Sequence, residues 1–211
     1  MYKLYYSPGA CSLAVHMVLK ELELPFILHL VSLKKGDQVS IEYKKINPKS
    51  RIPALEIASV GILTEVPAIL TFLANKHSEK KLLPQDEFLR AKCLEWLVWL
   101  SIELHAVGFA KLWRPERFTL DRAVQEKVSQ DAHRSIVGCF ETIENKLNES
   151  VWILGADLSI VDFYLLVFFR WGNRIGYKMD QIYPAWAKKV RKMAEKPSVI
   201  SALEVEEISI W

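Results

Sequence analysis

Cys11 sits in YYSPGACSLA, three residues after Pro8, where an aromatic run gives way to small residues and then to a helix-like stretch. A helix amino terminus offers a thiol free backbone amides and a partial positive charge, both of which favour thiolate. Gly9 lets the backbone turn, and Ala10 and Ser12 are small enough to leave the sulfur reachable. Position 14 is Ala14, so there is no second cysteine three residues on, and a partner thiol has to come from outside. The alternative is an inert, packed cysteine. Pro53 in SRIPAL precedes a strand: a cis bond there turns the preceding residue's backbone outward, whereas a trans bond only opens an edge strand. In LTEVPAIL, Glu65 and Pro67 mark a helix start. The free amides there suit a carboxylate, while Glu65 suits an amine or simply answers the helix dipole. The three stretches together suit a small peptide bearing a thiol, an amine and a carboxylate.

These residues need elements to hold them. YKLYYS reads as a short strand ending at Pro8 and Gly9, followed by helical spacing of Leu13, Val15, Val18, Leu19 and Leu22. PFILHLVSL reads as a second strand. A short helix is expected near Ser40–Lys45, then strands after Pro53 and through Leu63, and a helix from about Pro67. Strand, helix, strand, helix, two strands and a helix is the order of a thioredoxin-type sheet. Beyond LLPQD only helical periods appear, over Phe88–Val107, Leu120–Leu147 and YPAWAKKVRKMAEKP, the last stopped by Pro197. LSIVDFYLLVFFRW is apolar nearly all round, the mark of a fully buried helix, and Ser159 with Asp162 forms a short-acid variant of the capping box at its entry.

Composition narrows the function classes. Of 211 residues 51% are hydrophobic, enough for a large core, and 28 basic against 25 acidic residues leave a net charge of +3 with no basic patch for nucleic acid. The first residues have no basic segment followed by a long apolar region, so no signal peptide is expected. No apolar run reaches the roughly 18–20 residues of a membrane helix, and no membrane partner is expected. Three scattered cysteines, Cys11, Cys93 and Cys139, fit reduced thiols in the cytoplasm, with Cys93 and Cys139 on apolar helical faces. His133 has no metal-ligand partner at useful spacing, and no metal is expected.

With YYSPGACSLA, NPKSRIPAL, LTEVPAI and ELHAVGFAKLWRPERF present in that order, the chain resembles the cytosolic glutathione transferases, closest to the bacterial beta class. The resemblance spans essentially the whole length and includes SIVDFYLL, which in that family begins a buried capped helix. It implies an α/β thioredoxin-like domain over residues 1–80 that binds glutathione, a linker at 81–87, and an all-α helical domain over 88–211. The helical domain borders a pocket for a small hydrophobic electrophile, and the molecule is a homodimer with glutathione as co-substrate. Carried over by position, Cys11 lies beside the glutathione sulfur with Ala10 next to it, and His105 faces it from the helical domain. Ile52, held by cis-Pro53, pairs its backbone with the cysteinyl part. Glu65 receives the γ-glutamyl amine, Lys35 and Arg51 face the glycyl end, and Glu103 matches an acid offered across the dimer.

Two positions depart from the family pattern. Val66 stands where a serine commonly follows the acid, so its amide remains for the γ-glutamyl carboxylate but a hydroxyl donor is gone. Val98 replaces a polar residue that reaches the neighbouring subunit's glutathione. Both point to weakened glutathione affinity. Trp96, Trp99 and Trp113 read mostly as packing, yet Trp113 with Phe109 fits the wall of the second-substrate pocket. Arg114 and Arg117 read as solvated or as pocket-edge residues. The leading function is conjugation of glutathione to small electrophiles, assisted by Cys11 and His105, with Tyr5 or Tyr6 as a weaker alternative activator. Competing readings are thiol–disulfide exchange or peroxide reduction through Cys11, and a binding module with little catalysis.

Overall fold

Alternation in YKLYY puts Tyr2 and Leu4 of β1 (Tyr2–Tyr6) into the main core and Tyr5 into a small cluster with Val31, Tyr43 and Ala54. The computed structural model describes residues Met1–Trp211. After β1 come α1 (Ser12–Glu21), β2 (Phe26–Leu30), α2 (Ile41–Ile46), β3 (Ala54–Ile57), β4 (Gly61–Thr64) and α3 (Val66–Lys76). The sheet runs β2-β1-β3-β4, with β1 parallel to β2 and the other neighbours antiparallel, so Leu4 sits between Leu28 and Leu55. This is the expected thioredoxin-like arrangement. The Ile52–Pro53 bond is cis.

The remaining chain is helical. α4 (Glu87–Trp99), a π-helical stretch (Leu100–Phe109) and α5 (Ala110–Trp113) form one continuous helix. By length and composition it is long and apolar enough to cross a membrane, with mean hydropathy 1.3 in its most apolar window, which corrects the expectation that no segment reaches that length. Its inner face, with Cys93, Leu97, Leu100 and Leu104, is nevertheless buried in the protein core. α6 (Arg122–Glu149), α7 (Ile160–Arg174), α8 (Met179–Ile182), α9 (Pro184–Ala194) and α10 (Pro197–Glu206) follow. Pro197 does end the preceding helix, but it also opens α10, whose first-turn position tolerates the missing amide. The segment 81–86 is anchored: Leu82 and Leu83 are buried, and the Leu82 carbonyl accepts the Ile160 amide.

One continuous core of 50 buried residues runs through both halves. α7 is its centre and is buried on nearly every side, as its composition requires. Its entry is fixed by Asp162, whose carboxylate accepts from the amides of Ser159 (2.8 Å) and Ile153 (3.1 Å) and from the Ser159 hydroxyl (2.8 Å).

The two halves meet at Gly9, which has φ +67°. Its amide donates to Glu206 Oε2 at 2.7 Å, and its carbonyl accepts from Trp171 Nε1 at 2.8 Å and from Arg170 Nη1 at 3.2 Å. The other Glu206 oxygen holds His16 Nδ1 at 2.9 Å, with both side chains sealed from solvent. The turn carrying Cys11 is therefore clamped by three residues of the helical half.

Asp162→Ala leaves buried amides unpaired and is expected to remove about 2–5 kcal/mol of stability, read from urea unfolding. Gly9→Ala places a β-carbon 2.5 Å from Arg170 Nη1 at a left-handed backbone position. A loss of at least about 1–2 kcal/mol is expected in the same measurement.

Candidate active site

Cys11 caps α1 with backbone in the right-handed helical region. Its side chain is buried, and Sγ donates to the Ile52 carbonyl at 3.5 Å. Burial pushes the thiol up to about 12; the amides of Cys11 and Ser12 pull it down, but by less than desolvation raises it. The helix terminus thus does what its position promises, and the low dielectric around the sulfur outweighs it. Both the expected thiolate and the expected open approach to the sulfur are corrected: in the free chain Cys11 is a buried thiol. Glu65 and Arg51 lie near enough to act on that sulfur, in opposite directions.

The cis bond presents the Ile52 backbone toward Cys11, and Pro53 is buried beneath. The preceding carbonyl, of Arg51, is fixed by the Tyr43 hydroxyl at 2.8 Å and by Asn47 Nδ2 at 2.6 Å. Glu65, at φ +71°, caps α3 through its backbone alone, and no side chain satisfies the first amides of that helix. Val66 buries its isopropyl group in the core, so only its amide remains for a ligand. Lys49, which the sequence reading passed over, bridges the Thr64 hydroxyl and Glu65 Oε1, both at 2.8 Å. Lys35 and Arg51 are exposed, and Ala10 is half-buried beside Cys11.

His105 lies on the π-helical stretch, half-buried. Its Nδ1 is 3.2 Å from the Tyr164 hydroxyl, which is also 3.4 Å from Ser101 Oγ. Trp171 and Phe168 meet the imidazole edge-on, with centroids at 5.0 and 6.1 Å. Burial lowers the imidazole to about 4, and the positive charges of Arg51 and Arg117 add to this against Glu65. His105 is therefore neutral at physiological pH. Tyr164 is held well above the usual phenol range by burial and stays protonated. Nδ1 is thus engaged by the Tyr164 hydroxyl, while Nε2 is not among the buried unpaired atoms.

Cys11, Ile52, Pro53, Glu65 and His105 are thus brought near one another: Cys11 is bonded to the Ile52 carbonyl beside the cis bond, and the charge of Glu65 acts on both Cys11 and His105. Phe109 is not: it is fully buried against Phe140, Phe168 and Trp171, so it packs the core rather than lining a pocket, while Trp113 beside it is half-buried. Glu103 is exposed, and its charge acts on Cys139. Tyr5 donates to Glu56 at 2.9 Å, and both Tyr5 and Tyr6 are raised chiefly by burial, so neither supplies a phenolate. Tyr164 stood in an apolar run, and a lone hydroxyl in such a run is the signal that it needs a polar partner.

The chain matches the family "Glutathione S-transferase, N-terminal domain" over residues 9–76 and "Glutathione S-transferase, C-terminal domain" over residues 103–197. It is 34% identical over 206 residues to glutathione S-transferase GstA of Escherichia coli O157:H7, covering 97% of this chain and 98% of that one. A glutathione transferase homologue from Sulfitobacter, solved with bound glutathione, superposes with a TM-score of 0.92 at 27% identity, covering 99% of each chain. The bacterial beta class glutathione S-transferase of Sphingomonas chungbukensis superposes with a TM-score of 0.86 at 29% identity, covering 98% of this chain and 100% of that one. A thioredoxin-like sheet and a helical partner half packed on it agree with these matches along the whole chain, which belongs to the glutathione S-transferase family of enzymes.

Proposed function

We propose that this enzyme binds glutathione in the cleft between its halves and joins the glutathione sulfur to the electrophilic carbon of a small, largely apolar molecule. The reading is supported by Cys11 bonded to the Ile52 carbonyl and by Glu65, at the start of α3, acting on both that sulfur and the neutral His105. The Ile52 backbone pairs with the cysteinyl unit, the Val66 amide takes the γ-glutamyl carboxylate, and Glu65 exchanges Lys49 for the γ-glutamyl amine. Arg51 and Lys35 serve the glycyl carboxylate. Trp113 borders the electrophile.

Catalysis requires glutathione to react as thiolate. His105 is a poor base at about 4, but when the Tyr164 hydroxyl donates to Nδ1 the ring proton sits on Nε2, and that donor stabilises the sulfur anion as it forms. Once glutathione engages the Ile52 carbonyl, the Cys11 S–H is released from that acceptor and becomes a second donor to the same anion. The glutathione proton leaves to solvent. The thiolate electron pair then forms the C–S bond while the leaving group departs with its own pair, or while an activated alkene carbon takes a proton.

Exchange through a Cys11 mixed disulfide is disfavoured because its thiol is pushed up to about 12. A cytoplasmic location is supported by three free cysteines. A homodimer, with Glu103 offered to the partner's site, is supported by the exposed apolar side chains Phe88, Leu94, Val98 and Ile102 along the long helix.

In steady-state assays with 1-chloro-2,4-dinitrobenzene, Cys11→Ala is expected to keep conjugation within about tenfold of the parent, since it removes one weak S–H donor. Loss of all conjugation would make Cys11 an obligatory nucleophile instead. By NMR the His105 imidazole should titrate near 4 rather than near 6.5. Because the unfolded chain then binds more protons between those values, this group's contribution to stability is lost as pH falls from about 6.5 toward 4. His105→Phe should flatten that part of the urea-unfolding pH profile.

A further inference from the structure

Lys49 is held at both ends of its side chain. Its backbone amide donates to Asn47 Oδ1 at 3.1 Å, while Nδ2 of the same buried asparagine donates to the Arg51 carbonyl at 2.6 Å. The Ser50 amide closes the turn on the Asn47 carbonyl at 2.9 Å, with Ser50 at φ +56°. One asparagine thus shapes the loop that carries Lys49 and leads into the cis Ile52–Pro53 bond. At the far end, Nζ donates to Thr64 Oγ1 and to Glu65 Oε1, both at 2.8 Å, across 15 and 16 residues. Those acceptors end β4 and open α3, whose first amides have no side-chain cap. A cation, a carboxylate and uncapped amides therefore stand together at one helix start.

The Lys49–Glu65 pair is 53% and 59% exposed, and pairs so open to water contribute little because solvent and salt screen them. It is easily parted. A γ-glutamyl group carries an ammonium and a carboxylate on the same carbon. When the ammonium replaces Lys49 on Glu65, the carboxylate arrives beside the displaced Nζ. Negative and positive charges then alternate from Glu65 through the ligand to Lys49. The exchange gives up one screened pair and forms two charge-assisted contacts, so the lysine favours the ligand more than it competes with it. The helix start itself has little else to offer the carboxylate, because the Val66 side chain is buried in the core and supplies no hydroxyl.

Resting on the reading of glutathione binding given above, we infer that Lys49 is a specificity-determining residue that takes the α-carboxylate of the γ-glutamyl group in place of a hydroxyl at position 66. Against a ligand with an amine and no carboxylate, Lys49 stays on Glu65 and competes. The helix start then selects the amino-acid zwitterion over either charge alone.

The test uses glutathione and two analogues altered only in the γ-glutamyl unit. Glutaryl-cysteinylglycine keeps the carboxylate without the amine, and 4-aminobutyryl-cysteinylglycine keeps the amine without the carboxylate. Binding to the full-length parent, Lys49→Met and Lys49→Arg is followed by intrinsic tryptophan fluorescence, with folding checked by circular dichroism. Lys49→Met should weaken glutathione and the glutaryl analogue about five- to tenfold, without weakening the aminobutyryl analogue. In conjugation assays KM for glutathione should rise by the same factor while kcat at saturation holds, and Lys49→Arg should restore most of the loss. Equal losses for all three ligands overturn the inference, because they mark Lys49 as a prop for the loop. Unchanged glutathione affinity in Lys49→Met also overturns it, and tighter binding would make Lys49 a competitor only. Failure of the parent to bind glutathione at millimolar concentration is a separate pattern, which overturns the proposed function and this inference with it.

Discussion

The indole of Trp171 touches both chemical centres at once. Its Nε1–H is bonded to the carbonyl of Gly9, two residues before Cys11, and its ring edge packs against His105. Tyr164, Phe168 and Trp171 stand on one face of α7 at spacings of four and three residues, and all three reach the imidazole. The relation between the sheet half and the helical half is thus set by one buried helix rather than by the segment that links them. That is why the Asp162 cap, far from the cleft in sequence, matters to the cleft.

The electrostatics of the cleft follow from the same packing. Burial keeps Cys11 a thiol, His105 neutral and Tyr164 protonated, so the resting site offers hydrogen-bond donors and no nucleophile of its own. Such a site is complementary to an anion brought by the substrate. The positive charges of Arg51 and Arg117, which act on His105, work in the same direction.

Much of this was legible in the residues. The succession of strands and helices along the first half, the cis-compatible proline, the helix start at Glu65 and the Ser159–Asp162 cap all follow from periodicity and from local rules of turn and cap chemistry, and the structure contains each, whereas the order of strands across the sheet does not follow from them. What local rules missed is tertiary. The state of Cys11 depends on how much protein covers it, which no spacing reveals. Phe109 and Trp113 lie four residues apart on one helix, and only packing against α7 decides that the first is core. Lys49, Glu206 and Tyr164 acquire their partners across 16, 197 and 59 residues respectively, beyond the reach of any window.

The clamp on Gly9 has a consequence for how the protein is made. A chain leaving the ribosome amino end first produces the sheet half early, yet the carboxylate that receives the Gly9 amide is supplied by residue 206. Until that residue emerges, the cysteine-bearing turn lacks its anchor and His16 lacks its buried counterpart. The cysteine-bearing turn is therefore completed only after residue 206 has emerged, long after the sheet half that carries it.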